Sequence, residues 1–293
     1  MPESVDIIIG GPPCQGFSTL GKQDQEDKRN TLWYQYVEAI HRTHPRYFVM
    51  ENVPAFLKSR QYESFTAQTQ SGGLLEDYTF RASVLTAADF DVPQMRHRAV
   101  IIGRRRDCRD VGFPIPTSHD NMPTLRDAIG HLEQHVTQVD LPANRSINFA
   151  DKKLLGPFRP EELQLTRNYS DLSLKRFASI PYGGNRFDIP EELLAPCWKG
   201  YKSGAGDVMG RLEWEKPSVT IRTEFFKPEK GRYLHPVEDR AITLYEAALL
   251  QGFPSTQRFV GSKTAIARQI GNAVPVNLAK AIASQMLKGF EYD

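Results

Sequence analysis

Up to Gly103 the chain alternates between short continuous apolar runs and stretches with helical spacing. Val5-Asp6-Ile7-Ile8-Ile9 runs into Gly10-Gly11-Pro12-Pro13, which predicts a short buried strand ended by a stiff turn. Leu32, Tyr36, Val37 and Ile40 recur at helical spacing and predict a helix over 32–43, closed by His44-Pro45. Tyr47-Phe48-Val49-Met50 predicts the next strand, 61–70 a surface helix, Phe80–Leu85 a strand, 87–93 a loop and Ala99–Gly103 another strand. Such alternation predicts a doubly wound α/β domain.

After Gly103 the texture changes. Arg104-Arg105-Arg106 forms a basic edge, and from about 116 to 230 the pattern is irregular and rich in Pro, Gly and aromatics. Asn144–Gly156 is weakly patterned, and Ser203-Gly204-Ala205-Gly206-Asp207 reads as a turn. Helical spacing returns over Ala241–Leu250 and Pro275–Leu287. The predicted organisation is therefore a first domain over 1–115, a smaller irregular domain over 116–258, and a segment over 259–293 that returns to the first domain.

Composition narrows the picture only a little. With 40% apolar residues in 293, the chain can bury a sizeable core. The balance of 37 Lys+Arg against 35 Asp+Glu gives no global signature of nucleic-acid binding, so any such surface must be local. The three cysteines, Cys14, Cys108 and Cys197, are scattered, which argues against a disulfide framework or a metal cluster and suits the cytoplasm. No leader or membrane-spanning stretch is expected.

The candidate chemistry centres on Gly10-Gly11-Pro12-Pro13-Cys14-Gln15-Gly16-Phe17-Ser18. Two glycines and two prolines make an elbow at the carboxyl end of a strand, the edge where open α/β sheets bind ligands. This elbow presents one thiol, Cys14. A second strand delivers Glu51-Asn52-Val53 to the same edge. In an extended segment Gln94, Arg96 and Arg98 alternate, so period two predicts that they share one face.

These residues resemble the motifs of the DNA (cytosine-5) methyltransferases. In order the chain carries the Pro12-Pro13-Cys14-Gln15 elbow, Glu51-Asn52-Val53, Pro93-Gln94-Met95-Arg96-His97-Arg98, Gln251-Gly252-Phe253-Pro254 and Gln269-Ile270-Gly271-Asn272-Ala273-Val274-Pro275. Pro181-Tyr182-Gly183-Gly184-Asn185 and Glu215–Thr220 also look like stretches of that family. The resemblance implies a partial, Rossmann-like, S-adenosylmethionine-dependent methyltransferase domain with a smaller target-recognition domain. It implies that a Cys14 thiolate adds to C6 of a flipped-out cytosine and that Glu51 serves as general acid at N3. It also implies that Arg98 contacts O2, that Arg96 steadies the site, and that Pro13, Leu32, Asn272 and Ala273 line S-adenosyl-L-methionine. The loop over 16–31 would close over DNA. Double-stranded DNA is the implied partner, contacted by Arg167, Lys175, Arg176, Arg186, Lys199, Lys202 and Arg211 among Tyr169, Phe177, Tyr182 and Trp198.

The resemblance has gaps. The family's Gly-rich cofactor turn, and the acidic strand ends after it, have no counterpart before the elbow. The sheet is therefore expected to have an exposed apolar edge, and three origins stay open: a subunit of a split enzyme completed by a second polypeptide, a truncated product, or a remnant that binds DNA without catalysis. An RNA cytosine methyltransferase is a further alternative. Asp91, Tyr245 and Leu249 stand where the family favours other residues.

Overall fold

The computed structural model describes residues 5–13, 32–200 and 203–291. The expected DNA-closing loop over 16–31, Cys14 and Lys202 lie outside these residues. The chain divides into two compact units, one of Met1–Ala87, His97–Thr117 and Ala279–Asp293, the other of Ala88–Arg96 and Ser118–Leu278.

The first unit contains β1 (Ile7–Gly10), α1 (Leu32–Thr43), β2 (Tyr47–Asn52), α2 (Arg60–Ala67) and β3 (Tyr78–Thr86). After β4 (Gln94–Met95), which pairs in the second unit, comes β5 (His97–Arg105). The sheet order is β1-β2-β5-β3. β1 runs parallel to β2, as expected for strands joined through a helix, here α1. β5 is antiparallel to both β2 and β3. The sheet is thus mixed within the expected Rossmann-like α/β fold: β1 and β2 keep the parallel pairing, and β5 reverses. The cause is the link from β3 to β5, which is short and holds only a 3-10 turn and a two-residue strand, with no helix to carry the chain back across. Tyr36, Val37 and Ile40 of α1 are buried with Phe48 and Met50 of β2 and Ile101 of β5. Each such side chain contributes roughly 1.5–3 kcal/mol. The helix expected over 61–70 is Arg60–Ala67, capped by the Ser59 side chain, which accepts from the Tyr62 amide.

The second unit holds short elements: α3 (Leu125–Ile129), the hairpin strands β6 (Ser146–Phe149) and β7 (Lys152–Leu155), α4 (Asp171–Ala178), β8 (Gly210–Arg211), β9 (Ser218–Val219), β10 (Arg232–Leu234), α5 (Leu244–Leu250) and α6 (Lys263–Asn272). α7 (Val276–Leu287) follows, with Leu278, Ile282 and Met286 buried. The unit bounds differ from the divisions expected at 115/116 and 258/259. α6 belongs to the second unit because Ile266, Ala267 and Ile270 share one core with Leu244, Ala247, Ala248 and Leu250 of α5. Residues 88–96 join it because the Gln94 amide donates to the Leu250 carbonyl at 3.1 Å and to Gln251 Oε1 at 3.0 Å. No helix among the described residues is long and apolar enough to cross a membrane.

Candidate active site

The elbow after β1 is held by three contacts, each traceable to a residue type. Gly10 lies under the Tyr36 ring, where an added Cβ would sit 2.4 Å from Cε2. The Tyr36 hydroxyl donates to the Val49 carbonyl at 2.7 Å, which fixes the ring over both strands. Burial pushes this phenol well above its ordinary pKa, so it stays a donor. Gly11 leaves room for Glu51: a Cβ there would lie 3.3 Å from Glu51 Oε2. Asn52 closes the turn, because its Nδ2 donates to the Pro12 carbonyl at 3.1 Å while its Oδ1 accepts from the Val53 amide at 2.8 Å.

Sheet register then brings Arg98 to Glu51. Glu51 of β2 stands opposite Val100 of β5. Arg98, two residues along β5, shares that face and reaches Glu51 on the diagonal. Arg98 Nε lies 2.7 Å from Glu51 Oε1, with side-chain exposures of 14% and 22%. Arg98 Nη1 donates to the His97 carbonyl at 2.7 Å. Burial lowers the Arg98 pKa from its ordinary value, and the Glu51 carboxylate offsets part of that shift. Glu51, Arg98 and the Asn52-pinned turn thus sit together at one strand edge. Cys14 is one peptide bond beyond Pro13, outside the described residues. Pro13 and Leu32 are exposed in the same unit.

Arg96 departs from the period-two expectation. The ladder breaks between β4 and β5, and Gln94 and Arg96 belong to the second unit while Arg98 belongs to the first. The Arg96 guanidinium is buried and donates to the Ile221 carbonyl at 2.9 Å and the Gly271 carbonyl at 3.1 Å. It fastens the chain after β9 to the last turn of α6. Asn272 ends α6, exposed, and Ala273 is its C-cap. His97 Nδ1 lies 3.0 Å from the Thr86 hydroxyl, an ordinary cross-strand bond.

The residues expected to touch DNA divide into two sets. Arg211 is buried, and donates to the carbonyls of Phe177, Ile180, His235 and Glu238 and to Asp239 Oδ1. Phe177 is core. Arg211 is architectural, a role that scattered basic residues in an irregular sequence do not reveal. Arg176 donates to the Leu193 carbonyl at 2.6 Å, and Arg186 to the Ser203 carbonyl at 2.9 Å while lying over the Phe187 ring. Lys175, Lys199 and Arg167 stay exposed. Tyr182 is also exposed, and its hydroxyl meets Glu215 and the Trp214 amide. Sequence reading also missed a buried pair, Arg240 with Glu246, joined by contacts of 2.9 and 2.8 Å. The local signal was Thr243-x-x-Glu246, a capping box at the start of α5.

Comparison with known proteins completes the description. The family model described as C-5 cytosine-specific DNA methylase matches residues 1–288. The Type II methyltransferase M1.HphI of Haemophilus parahaemolyticus is 37% identical over 97% of this chain and 68% of its own length. The Type II methylase M.HgiDII of Herpetosiphon aurantiacus is 33% identical over 97% of this chain and 77% of its own. A solved DNA modification methyltransferase encoded within an E. coli prophage superposes with a TM-score of 0.70 at 23% identity, covering 98% of this chain and 79% of that one, which shows the shared fold.

Proposed function

The chain belongs to the C-5 cytosine-specific DNA methylase family, and from that premise we propose how its residues divide the work of methylating C5 of cytosine in DNA. The observation that carries the assignment is the Glu51–Arg98 pair beside the elbow that Asn52 pins. Cytosine C5 is a poor nucleophile until a group adds at C6. Cys14 supplies that group as a thiolate: a C–S bond forms, and the ring electrons move toward C5 and N3. Glu51, in its carboxylic acid form when the base is bound, hydrogen-bonds N3 and gives its proton there as charge develops, becoming the carboxylate that Arg98 pairs. Arg98 holds Glu51 in place, and further N–H donors of its guanidinium suit cytosine O2. Loss of the C5 proton and expulsion of the thiolate then restore the ring. Arg96 acts through other groups: it positions the segment after β9 and the end of α6 without touching substrate.

S-adenosyl-L-methionine, when bound, supplies the electrophilic methyl group. Each unit, taken by itself, offers residues that suit contact with it. Pro13 and Leu32 offer exposed apolar surface, Leu32 being 39% exposed, and Asn272 with Ala273 offers an exposed amide and backbone. The ribose hydroxyls call for carboxylate acceptors, which these four residues lack. A further strand-forming segment, from a second polypeptide or from additional chain, would supply them beside β1. What supports this is the sheet itself: β1 pairs on one side with β2 among the described residues, and Ile9 is 67% exposed. We assign target recognition to the irregular region over 116–258 and place the protein in the cytoplasm, which its three scattered cysteines favour.

The test is a covalent trap. Duplex DNA containing 5-fluorocytosine and S-adenosyl-L-methionine are added to the chain, alone and with a polypeptide that carries the cofactor-binding strands. A denaturation-resistant adduct that vanishes in Cys14→Ala is the expected result. No adduct under either condition, with duplex binding retained, would mean a DNA-binding protein without this chemistry.

A further inference from the structure

We propose that the β6–β7 hairpin is a ribbon that enters the major groove of duplex DNA, with Phe149 against base edges and Lys152 and Lys153 on phosphates. This rests on the DNA-methylating function above and names a reading element for it. The hairpin carries exposed apolar side chains that a soluble surface normally avoids. Phe149 is 68% exposed, Leu155 50% and Ile147 37%. Its register pairs Phe149 with Lys152 and Asn148 with Lys153. Strand alternation therefore places Phe149, Ile147, Lys152 and Leu154 on one face and Lys153, Asn148 and Leu155 on the other. Each face combines a lysine with apolar groups. Protein interfaces are depleted in lysine, whereas a polyanion with a stacked apolar interior calls for this mixture.

Geometry agrees with the occupant. A four-residue strand is about 13 Å long, and the major groove is about 8.5 Å deep and admits a two-stranded ribbon. The tip is narrow, because Ala150 (φ 44°) and Asp151 (φ 59°) are both left-handed, as a two-residue hairpin turn requires. The base is firm while the tip is unsupported. Arg145 grips Glu162 with both guanidinium nitrogens, and the Gly156 amide donates to the Arg145 carbonyl at 3.1 Å. The Gly261 amide donates to the Leu155 carbonyl at 2.8 Å, and buried Phe158 and Phe259 exchange backbone bonds of 2.8 and 2.9 Å. A probe held by its root presents its tip in one orientation.

The test compares full-length wild type with Phe149→Ala, Phe149→Tyr and the double variant Lys152→Ala/Lys153→Ala. One readout is anisotropy on a short mixed-sequence duplex across a salt series, and another is sequence enrichment from a randomised duplex pool. The lysine variant is expected to bind about tenfold more weakly, with a log K against log salt slope shallower by about 0.9 per lost phosphate contact. Phe149→Ala is expected to lose preference at one or two base positions, and Phe149→Tyr to keep it. Melting temperatures close to wild type show that the exposed substitutions leave the fold intact. If wild type binds and enriches a site but every hairpin variant matches it, the hairpin proposal fails and the methylase reading stands. A Phe149-dependent dimer in sedimentation with unchanged DNA binding would equally overturn it. If wild type binds no duplex and forms no fluorocytosine adduct, both fall.

Discussion

Arg98 and Arg96 are two residues apart, and their surroundings differ as much as any two regions of this protein. Arg98, at the elbow, faces one carboxylate at 2.7 Å on a partly open surface. Arg96 is spent on two backbone carbonyls inside the second unit, and Arg211 and Arg240 are buried there too, each against backbone carbonyls and one carboxylate, Asp239 and Glu246. The difference separates chemistry from architecture. A buried guanidinium held by carbonyls cannot leave them without stranding buried acceptors, so it fixes the chain path. A guanidinium that pairs with one carboxylate at an open edge can share that carboxylate, and itself, with an arriving base.

Substitutions can break or sharpen this contrast. The largest effect is expected from Glu51→Gln, which keeps the shape and removes the proton source: turnover of the active enzyme should fall by about 10²–10⁴-fold, with little change in calorimetric melting. A large loss of stability instead would move the elbow pair into the architectural class. Next is Glu246→Gln, which leaves buried Arg240 without its countercharge and should cost about 3–5 kcal/mol in a denaturant titration. A cost below about 1 kcal/mol would show that the buried pair is not a structural hub. Asn52→Ala frees the Pro12 carbonyl and should cost about 1–3 kcal/mol, together with slower adduct formation in the covalent trap, because the turn loses its tie to β2. An Asn52→Asp variant cannot donate to Pro12 and should behave alike.

A further expected effect is a pH slope. His235 is buried against Trp214, and its Nδ1 accepts from the amides of Val237 and Glu238 at 3.4 and 3.2 Å. Burial, reinforced by Arg240 and Arg211 and opposed by Glu246, lowers its pKa from 6.5 to about 4. The unfolded chain therefore takes up a proton before the folded one does. Stability should be full above about pH 6.5 and fall as the pH drops toward about 4. Exposed His119, raised mainly by its hydrogen bond to Asp89, pulls weakly the other way. Chemical denaturation of wild type and His235→Phe at several pH values checks this, and an equal slope in both would remove His235 as its source.

Legibility in the sequence followed the range of the interactions. The spacing of Leu32, Tyr36, Val37 and Ile40 set α1, and the run before Gly10 set β1, because both depend on near neighbours in the chain. The expected helices over 241–250 and 275–287 appear as Leu244–Leu250 and Val276–Leu287, shortened where Thr243 caps the first and Pro275 precedes the second. α6 escaped notice although Ser262 caps it and Ile266, Ala267 and Ile270 line one side, since a Gly and an Asn close its apolar pattern. The β6–β7 hairpin is weakly marked: Ser146-Ile147-Asn148-Phe149 alternates over only four residues, Lys152-Lys153-Leu154-Leu155 does not alternate, and Ala150-Asp151 between them lacks a Gly or Asn turn signal.

The sequence by itself determined the elements and the residue types at the elbow. Two glycines, two prolines, a Glu and an Asn at strand ends carry their constraints locally. Only the tertiary structure decided which arginine meets the elbow's carboxylate and which meets backbone carbonyls. Period two put Arg96 and Arg98 on one face, but the ladder breaks between them. Arg96 then meets the carbonyls of Ile221 and Gly271, 125 and 175 residues away in the chain, while β5 carries Arg98 to Glu51 through an antiparallel register. Partners so distant in sequence are chosen by strand pairing and burial, and no local pattern encodes them.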